Sequence, residues 1–293
     1  MPATIIDGKK SAANLRATLA AGAAQLKSAH GVVPGLATVL VGDDPASEVY
    51  IRNKGKTAEK LGYKSLHFGL PANAAEKDVL ARVRALNDDK SVHGILVQMP
   101  LPKQVREEAV LDVLDPAKDV DALTPTNAGL LMSGRARLVS CTPQGVMLLI
   151  KEYLGDIVGK NALVIGRQLL FGKPAAQLLL AANATVTMAH SKTRDLPGLA
   201  RRADLLLSAI GKPNLVKADW VKPGAAVFDV GINRVIVDGE SRIVGDVDYE
   251  AAKEVAGAIT PVPGGVGAMT IVCLMRNTLI AAATQAGVPV PEI

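Results

Sequence analysis

Short, almost wholly apolar runs recur along this chain, and segments with helical punctuation lie between them. LATVLVG (36–42), HGILVQM (93–99), NALVIG (161–166), DLLLSAI (204–210) and AAVFDVGI (225–232) read as strands buried on both faces. Asp7 can cap a helix over 8–30 that stops at Gly31, and 45–62 opens with Pro45 and closes with Gly62. Lys64 to Phe68 reads as a further strand, 75–87 as a helix, 142–155 and 172–184 as helices, and ATVTMA (184–189) as a strand. Strand, helix, strand repetition of this kind implies a mostly parallel sheet with helices on both faces. The expected class is therefore α/β.

A chain of 293 residues exceeds one comfortable core and suits two domains of roughly 150 residues each. The rhythm breaks in the polar stretch from Asp115 to Asn127 and then restarts. We expect an N-terminal α/β substrate domain over 1–122 and a doubly wound, Rossmann-like nucleotide-binding domain over 140–269, with the active site in the interdomain cleft. The last helical segment, Gly267 to Ala286, has no strand after it, so 270–293 is expected to pack back onto the first domain.

Composition narrows the function. Aromatics are 3% of the chain, so the cores must be built from Ala, Leu, Val and Ile. The net charge of +5 is spread along the chain, with no basic tract interleaved with aromatics, which argues against nucleic acid and fits an anionic small molecule. Cys141 and Cys273 lie far apart and the four histidines are isolated, so no metal spacing appears and both thiols are expected to be reduced. Asp7, Lys9 and Lys10 stand where a signal peptide needs its apolar stretch, and the uncharged run 255–275 is interrupted by Pro261, Pro263 and four glycines. The expectation is a cytoplasmic protein without a membrane span.

Several segments carry chemistry. VIGRQLLFGKP follows a strand and opens a helix, where a dinucleotide pyrophosphate rests, although Gly166 and Gly172 are six apart and depart from the usual glycine fingerprint. At the end of the next strand HSKTR (190–194) offers Ser191, Lys192 and Arg194, which with Arg167 can surround a 2′-phosphate and so predict NADP; a solvated basic loop is the plain alternative. Tyr50 and Lys54, four apart on a helix, project from one face. Gln98 closes a strand at the end where open α/β sheets meet their ligands. KDVDAL supplies Asp119 and Asp121, either of which can accept paired hydrogen bonds from an amino-heterocycle or cap the surface, and ITPVPGGVGAMT (259–270) is a glycine-rich loop over which a flat ligand can approach the backbone.

Taken together, DGKKSA, VGDDPASEVYIRNKGKTAEKLG, GILVQMPLP, KDVDALTPTNAG, CTPQGV, ANATVTMAHSKT, ADLLLSAIGKP, VKPGAAVFDVGIN, GDVDY and ITPVPGGVGAMTI resemble the bifunctional methylenetetrahydrofolate dehydrogenase and methenyltetrahydrofolate cyclohydrolase family through nearly the whole chain. The resemblance implies that Tyr50, Lys54, Gln98 and Asp121 are catalytic and folate-binding and that Gly264 and Gly265 line the folate site. It implies that Gly166, Arg167, Gln168, Ser191 and Ile232 contact NADP, that tetrahydrofolate one-carbon derivatives are the partners, and that a homodimer forms through the nucleotide domain. Gln168 stands where the family usually has Ser, Ala122 and Thr124 where it has Gly and His, and Ala268 where it has Pro. Lys54 would act as the base for hydrolysis, which requires a neutral amine, and desolvation beside a cationic substrate favours that form. An NADP dehydrogenase of the shikimate type is the nearest rival, and a non-catalytic nucleotide-binding regulator is another.

Overall fold

The computed structural model describes residues 3–237 and 239–293, and the side chains of all of these except 45–47, 49 and 237. In chain order the first elements are β1 (Thr4–Ile5), α1 (Gly8–His30), β2 (Gly35–Val41), α2 (Pro45–Lys60), β3 (Lys64–Leu70), α3 (Glu76–Asp88) and β4 (Gly94–Val97). There follow α4 (Glu107–Val113), α5 (Pro125–Met132), α6 (Cys141–Tyr153), β5 (Asn161–Ile165), α7 (Gly172–Ala181), β6 (Thr185–Ala189), α8 (Leu196–Ala200) and β7 (Leu205–Ser208). The chain closes with β8 (Ala226–Asp229), β9 (Asn233–Val237), β10 (Glu240–Val244), α9 (Tyr249–Ala252), β11 (Ala258–Ile259) and α10 (Val266–Gln285).

These elements form two compact units, one of residues 1–13 and 142–270, the other of 14–141 and 271–293. The division departs from the expected 1–122 at its beginning. The reason is backbone pairing: Thr4 and Ile5 lie parallel to Ala258 and Ile259, which adds β1 to the sheet of the other unit. Two residues are too few to announce a strand by pattern.

In the three-stranded unit the order is β3-β2-β4, all parallel, with β2 in the centre and buried at every position. Val39, Val79, Val83, Ile95 and Val110 pack its core. Each such fully buried side chain is worth about 1.5–3 kcal/mol in water-exclusion terms. The C-terminal helix belongs here from residue 271 onward, burying Val272, Leu274, Met275 and Leu279. Its Met275 carbonyl accepts a hydrogen bond from the Tyr63 hydroxyl, and Gln285 donates to the His93 carbonyl. The helix is long and apolar enough to cross a bilayer, yet its apolar side chains are spent inside the unit.

The six-stranded unit has the order β1-β11-β8-β7-β5-β6, every pair parallel. From β5 the chain goes outward to β6 and then returns to the other side of β5 to place β7. The strand order therefore reverses between β5 and β7, and adjoining loops diverge there, opening a crevice at the carboxyl ends. Leu163, Ile165, Leu206 and Val227 fill the core beneath. The hairpin β9–β10, antiparallel and unexpected from the sequence, stands apart from this sheet.

Candidate active site

The three-stranded unit builds its polar cluster at the end of β4. Gly94 opens that strand because a methyl group there would fall 2.5 Å from the Val120 side chain, so the strand can lie against the 118–121 segment only with glycine. Gln98 follows Val97, its backbone N–H still donating to the Val39 carbonyl at 2.9 Å as a last rung of the ladder. Its side-chain Nε2 donates to the Met99 carbonyl at 2.7 Å. That bond turns the amide so that Oε1 faces away, and Oε1 accepts from Lys54 Nζ at 3.0 Å.

Lys54 lies on α2 with only 7% of its surface exposed. Burial pushes its amine below the usual lysine value, while the nearby Asp121 carboxylate pulls the other way. Tyr50, one turn earlier, has its ring centroid 5.6 Å from Nζ, so the shared helix face is as the spacing requires. Tyr50 as a whole remains 37% exposed and can still meet a ligand.

The two aspartates of KDVDAL separate into different roles. Asp119 is buried, and its Oδ2 accepts from the Thr124 N–H at 2.8 Å and from Asn127 Nδ2 at 2.9 Å. It fastens the start of α5. Asp121 is half-buried; burial raises its carboxyl above the ordinary value, and the Lys54 charge and a hydrogen bond from the Cys141 side chain oppose that rise. Between them and α5, Ala122 has φ +54°, a left-handed conformation that suits glycine, and it stands where the resembled family has Gly. From α10, Asn277 Nδ2 donates to the Val120 carbonyl at 2.8 Å and the Val139 carbonyl at 2.7 Å, tying the residue before Asp121 to the segment that leads into α6. Lys54, Gln98 and Asp121 thus come together with Tyr50 beside them. Asn277 was not singled out from the sequence, and a lone buried Asn in an apolar helix was the available signal.

The six-stranded unit has its own cavity of about 550 Å³ at the β5–β7 reversal, lined by Gly166, Arg167, Gln168, Ser191, Lys212 and Trp220 among others. A methyl group at Gly172 would lie 2.2 Å from the Gly166 carbonyl oxygen, and one at Gly166 would lie 2.7 Å from the Ala209 oxygen. Both glycines are therefore demanded by close approach of backbone to backbone, despite the unusual spacing. Gln168 donates from Nε2 to the Ala209 carbonyl at 3.0 Å, joining the two lips of the crevice. Four expected cofactor residues line this cavity. Ile232, Lys192 and Arg194 do not, and Ile232 is 53% exposed. Lys212 and Trp220 follow β7, and only the strand order brings them beside Gly166.

Gly264 and Gly265 lie in the same unit. Gly264 has φ +113°, accessible to glycine, and its carbonyl accepts from the Lys9 N–H at 3.1 Å. Asp7, Lys9, Tyr153, Pro261 and Gly264 line a second cavity of about 560 Å³. Asp7 caps α1 as expected, its Oδ1 accepting from the Lys9 and Lys10 N–H groups at 3.0 Å each. Both cysteines are free and buried.

Residues 6–121 match the model of the tetrahydrofolate dehydrogenase/cyclohydrolase catalytic domain, and 140–286 match that of the NAD(P)-binding domain of the same enzymes. The chain belongs to the tetrahydrofolate dehydrogenase/cyclohydrolase family. Among relatives, the bifunctional protein FolD of Parvibaculum lavamentivorans is 56% identical over 296 residues, covering 100% of this chain and 99% of the relative. That of Bradyrhizobium diazoefficiens is 56% identical over 294 residues and 100% of both. Among solved structures, the FolD of Campylobacter jejuni superposes with a TM-score of 0.92 at 44% identity, covering 96% of this chain and 99% of that one. The Trypanosoma brucei enzyme, solved with NADP and an inhibitor, gives 0.94 at 38% identity, covering 97% and 99%. A shikimate dehydrogenase of Thermus thermophilus shares only the fold, at 16% identity and a TM-score of 0.50 over 86% of this chain and 100% of that one.

Proposed function

We propose that this family member oxidises 5,10-methylenetetrahydrofolate with NADP and hydrolyses the resulting 5,10-methenyl cation to 10-formyltetrahydrofolate. The observation that carries the reading is the buried Lys54 amine, bonded at 3.0 Å to Gln98 and under the field of Asp121. Membership of the family supplies the reaction; these three side chains are the groups in this chain suited to it.

The cavity at the β5–β7 reversal fits NADP by its own construction. Gly166 and Gly172 clear the approach to the N-terminus of α7, whose positive dipole end suits a pyrophosphate. Gly166, Arg167, Gln168 and Ser191 would hold the cofactor, with Lys212 offering charge to a phosphate. Bound NADP supplies the hydride acceptor for the oxidation. What the protein then contributes to that step is placement of the methylene carbon.

Hydrolysis asks more of the side chains. Water adds to the methenyl carbon as one of its protons passes to the neutral Lys54 amine; that proton is delivered to the folate nitrogen as its bond to the carbon breaks, and the remaining hydroxyl proton is released to solvent as the formyl C=O forms. Gln98 Oε1 holds the amine by accepting one N–H, which leaves the nitrogen lone pair directed elsewhere. Asp121 accepts hydrogen bonds from the amino-heterocycle, and Tyr50 stacks beside it. The reading is supported by burial, which favours the neutral amine.

Mixing the purified protein with methylenetetrahydrofolate and NADP should give NADPH absorbance together with a transient methenyltetrahydrofolate signal. Absence of NADPH formation overturns the assignment. We further place the enzyme in the cytoplasm, in keeping with two free, buried thiols. It would act as a homodimer through the six-stranded unit, where Leu180 and Met188 are exposed near the edge strand β6. Sedimentation at one protomer mass would argue against the dimer.

A further inference from the structure

A second polar cluster lies in the six-stranded unit, at the carboxyl ends of β7 and β8. Its centre is Asp246, wholly buried, just past β10. Oδ2 accepts from the Ser208 hydroxyl at 3.2 Å, the Ile210 N–H at 2.6 Å and the Gly211 N–H at 3.3 Å. Oδ1 accepts from the Lys212 N–H at 3.0 Å and from Asn233 Nδ2 at 2.9 Å. Three successive backbone amides, 210 to 212, thus converge on one carboxylate, an arrangement that Gly211 permits with φ +72°. Hydrogen bonds to an ionised acceptor are roughly twice as strong as neutral ones.

Asp246 is itself held. Its N–H donates to Asp229 Oδ1 at 2.9 Å, and the Val247 N–H donates to Asp229 Oδ2 at 2.8 Å. Gly231 and Gly245 leave the space the two carboxylates occupy: a methyl group at the first would lie 2.3 Å from Asp246 Oδ1, at the second 1.8 Å from Asp229 Oδ2. The loop so fixed carries Ile210 and Lys212 into the nucleotide cavity. At Ala209 it also receives the Gln168 side chain from the opposite lip.

We propose that Asp246 is a positioning residue for the cofactor, shaping one wall of the nucleotide cavity by gathering the 208–212 loop; the proposal rests on the reading of that cavity as the NADP site. Asp246 touches neither cofactor nor substrate. It acts through the backbone of Ile210 to Lys212, and loss of its charge lets that wall relax away from Gly166 and Gln168. Binding of NADP should weaken, while turnover at saturating NADP and hydrolysis of methenyltetrahydrofolate, which needs no cofactor, should hold.

Trp220 is the one tryptophan in the chain and lines this cavity, so its fluorescence reports NADP binding without any turnover. Titration of Asp246→Asn should give a dissociation constant raised about tenfold or more, the effect of leaving converging buried amides poorly paired. The KM for NADP should rise in parallel, with kcat of the dehydrogenase and kcat/KM of hydrolysis within about twofold of wild type. Should Asp246→Asn fail to fold, Ser208→Ala combined with Asn233→Ala removes two side-chain donors and keeps the carboxylate; about threefold weaker binding is then expected. An unchanged dissociation constant in a folded variant refutes the proposal, as does a parallel decline of binding and hydrolysis, which would mark a purely structural role. If the wild-type protein itself does not bind NADP, the reading of the cavity fails and takes this proposal with it.

Discussion

Replacing Lys54 by Met separates chemistry from architecture more cleanly than any other single change here. Met fills nearly the same volume, so the apolar contacts of this buried residue (7% exposed) survive. Two electrostatic consequences oppose each other. Gln98 Oε1 loses its donor at a cost of about 1 kcal/mol, whereas the unfavourable burial of an amine disappears. The net change in stability should stay within about 2 kcal/mol, a shift of a few degrees in Tm for a protein of this size. The hydrolysis rate should instead fall by about 10²–10⁴, the usual contribution of a positioned base. In the wild type the rate should climb as pH rises through the lowered Lys54 value, because only the neutral amine accepts a proton. Stability moves the same way. With the folded value below the unfolded one, the folded state binds fewer protons between the two, so stability increases with pH across that window, and the Met variant should lose that slope. Stopped-flow hydrolysis of methenyltetrahydrofolate across pH, alongside thermal melts, reads both effects. Wild-type hydrolysis by a folded Lys54→Met protein would refute the argument.

Two further outcomes are expected. Ala122→Gly should be neutral to stabilising by about 1 kcal/mol, because relief of a left-handed alanine, worth about 1–2 kcal/mol, exceeds the extra freedom of glycine in the unfolded chain; a clear fall in the denaturation midpoint would contradict this. Asp229 has its carboxyl pushed up to about 6, chiefly by burial, from an ordinary 3.8. The folded state therefore holds a proton in that window that the unfolded state has released, and stability falls as pH rises through it, by about 3 kcal/mol at most. Urea titrations of Asp229→Asn should show this slope removed, and a slope identical to wild type would exclude Asp229 as its source.

Strands covered on both faces were legible because burial leaves an unbroken apolar run: β2, β4, β5, β7 and β8 are buried at all or nearly all of their positions. The β9–β10 hairpin escaped notice for the opposite reason. β10 is largely exposed, and ESRIV carries no such run, although Asp238-Gly239 between alternating segments was a turn signal in the sequence. Tyr50 and Lys54 could be paired by helical spacing alone. Whether Asp119 or Asp121 faced Lys54 could not, because that depends on which carboxylate Thr124 and Asn127 claim. Lys212 and Trp220 were invisible as cavity residues because crevice neighbours are set by strand order, which joins β5 to β7 across an intervening β6.

The turn holding Asp119 and Asp121 places two acidic residues, two positions apart, under unrelated selective demands. Loss at 119 removes the anchor of α5 and should deplete protein in the cell, recoverable by low growth temperature or by stabilising changes elsewhere. Loss at 121 should leave abundant, inert protein that no such suppressor rescues. A survey of variants scored only by growth would merge these neighbours into one sensitive spot, and only a second score for abundance would pull them apart.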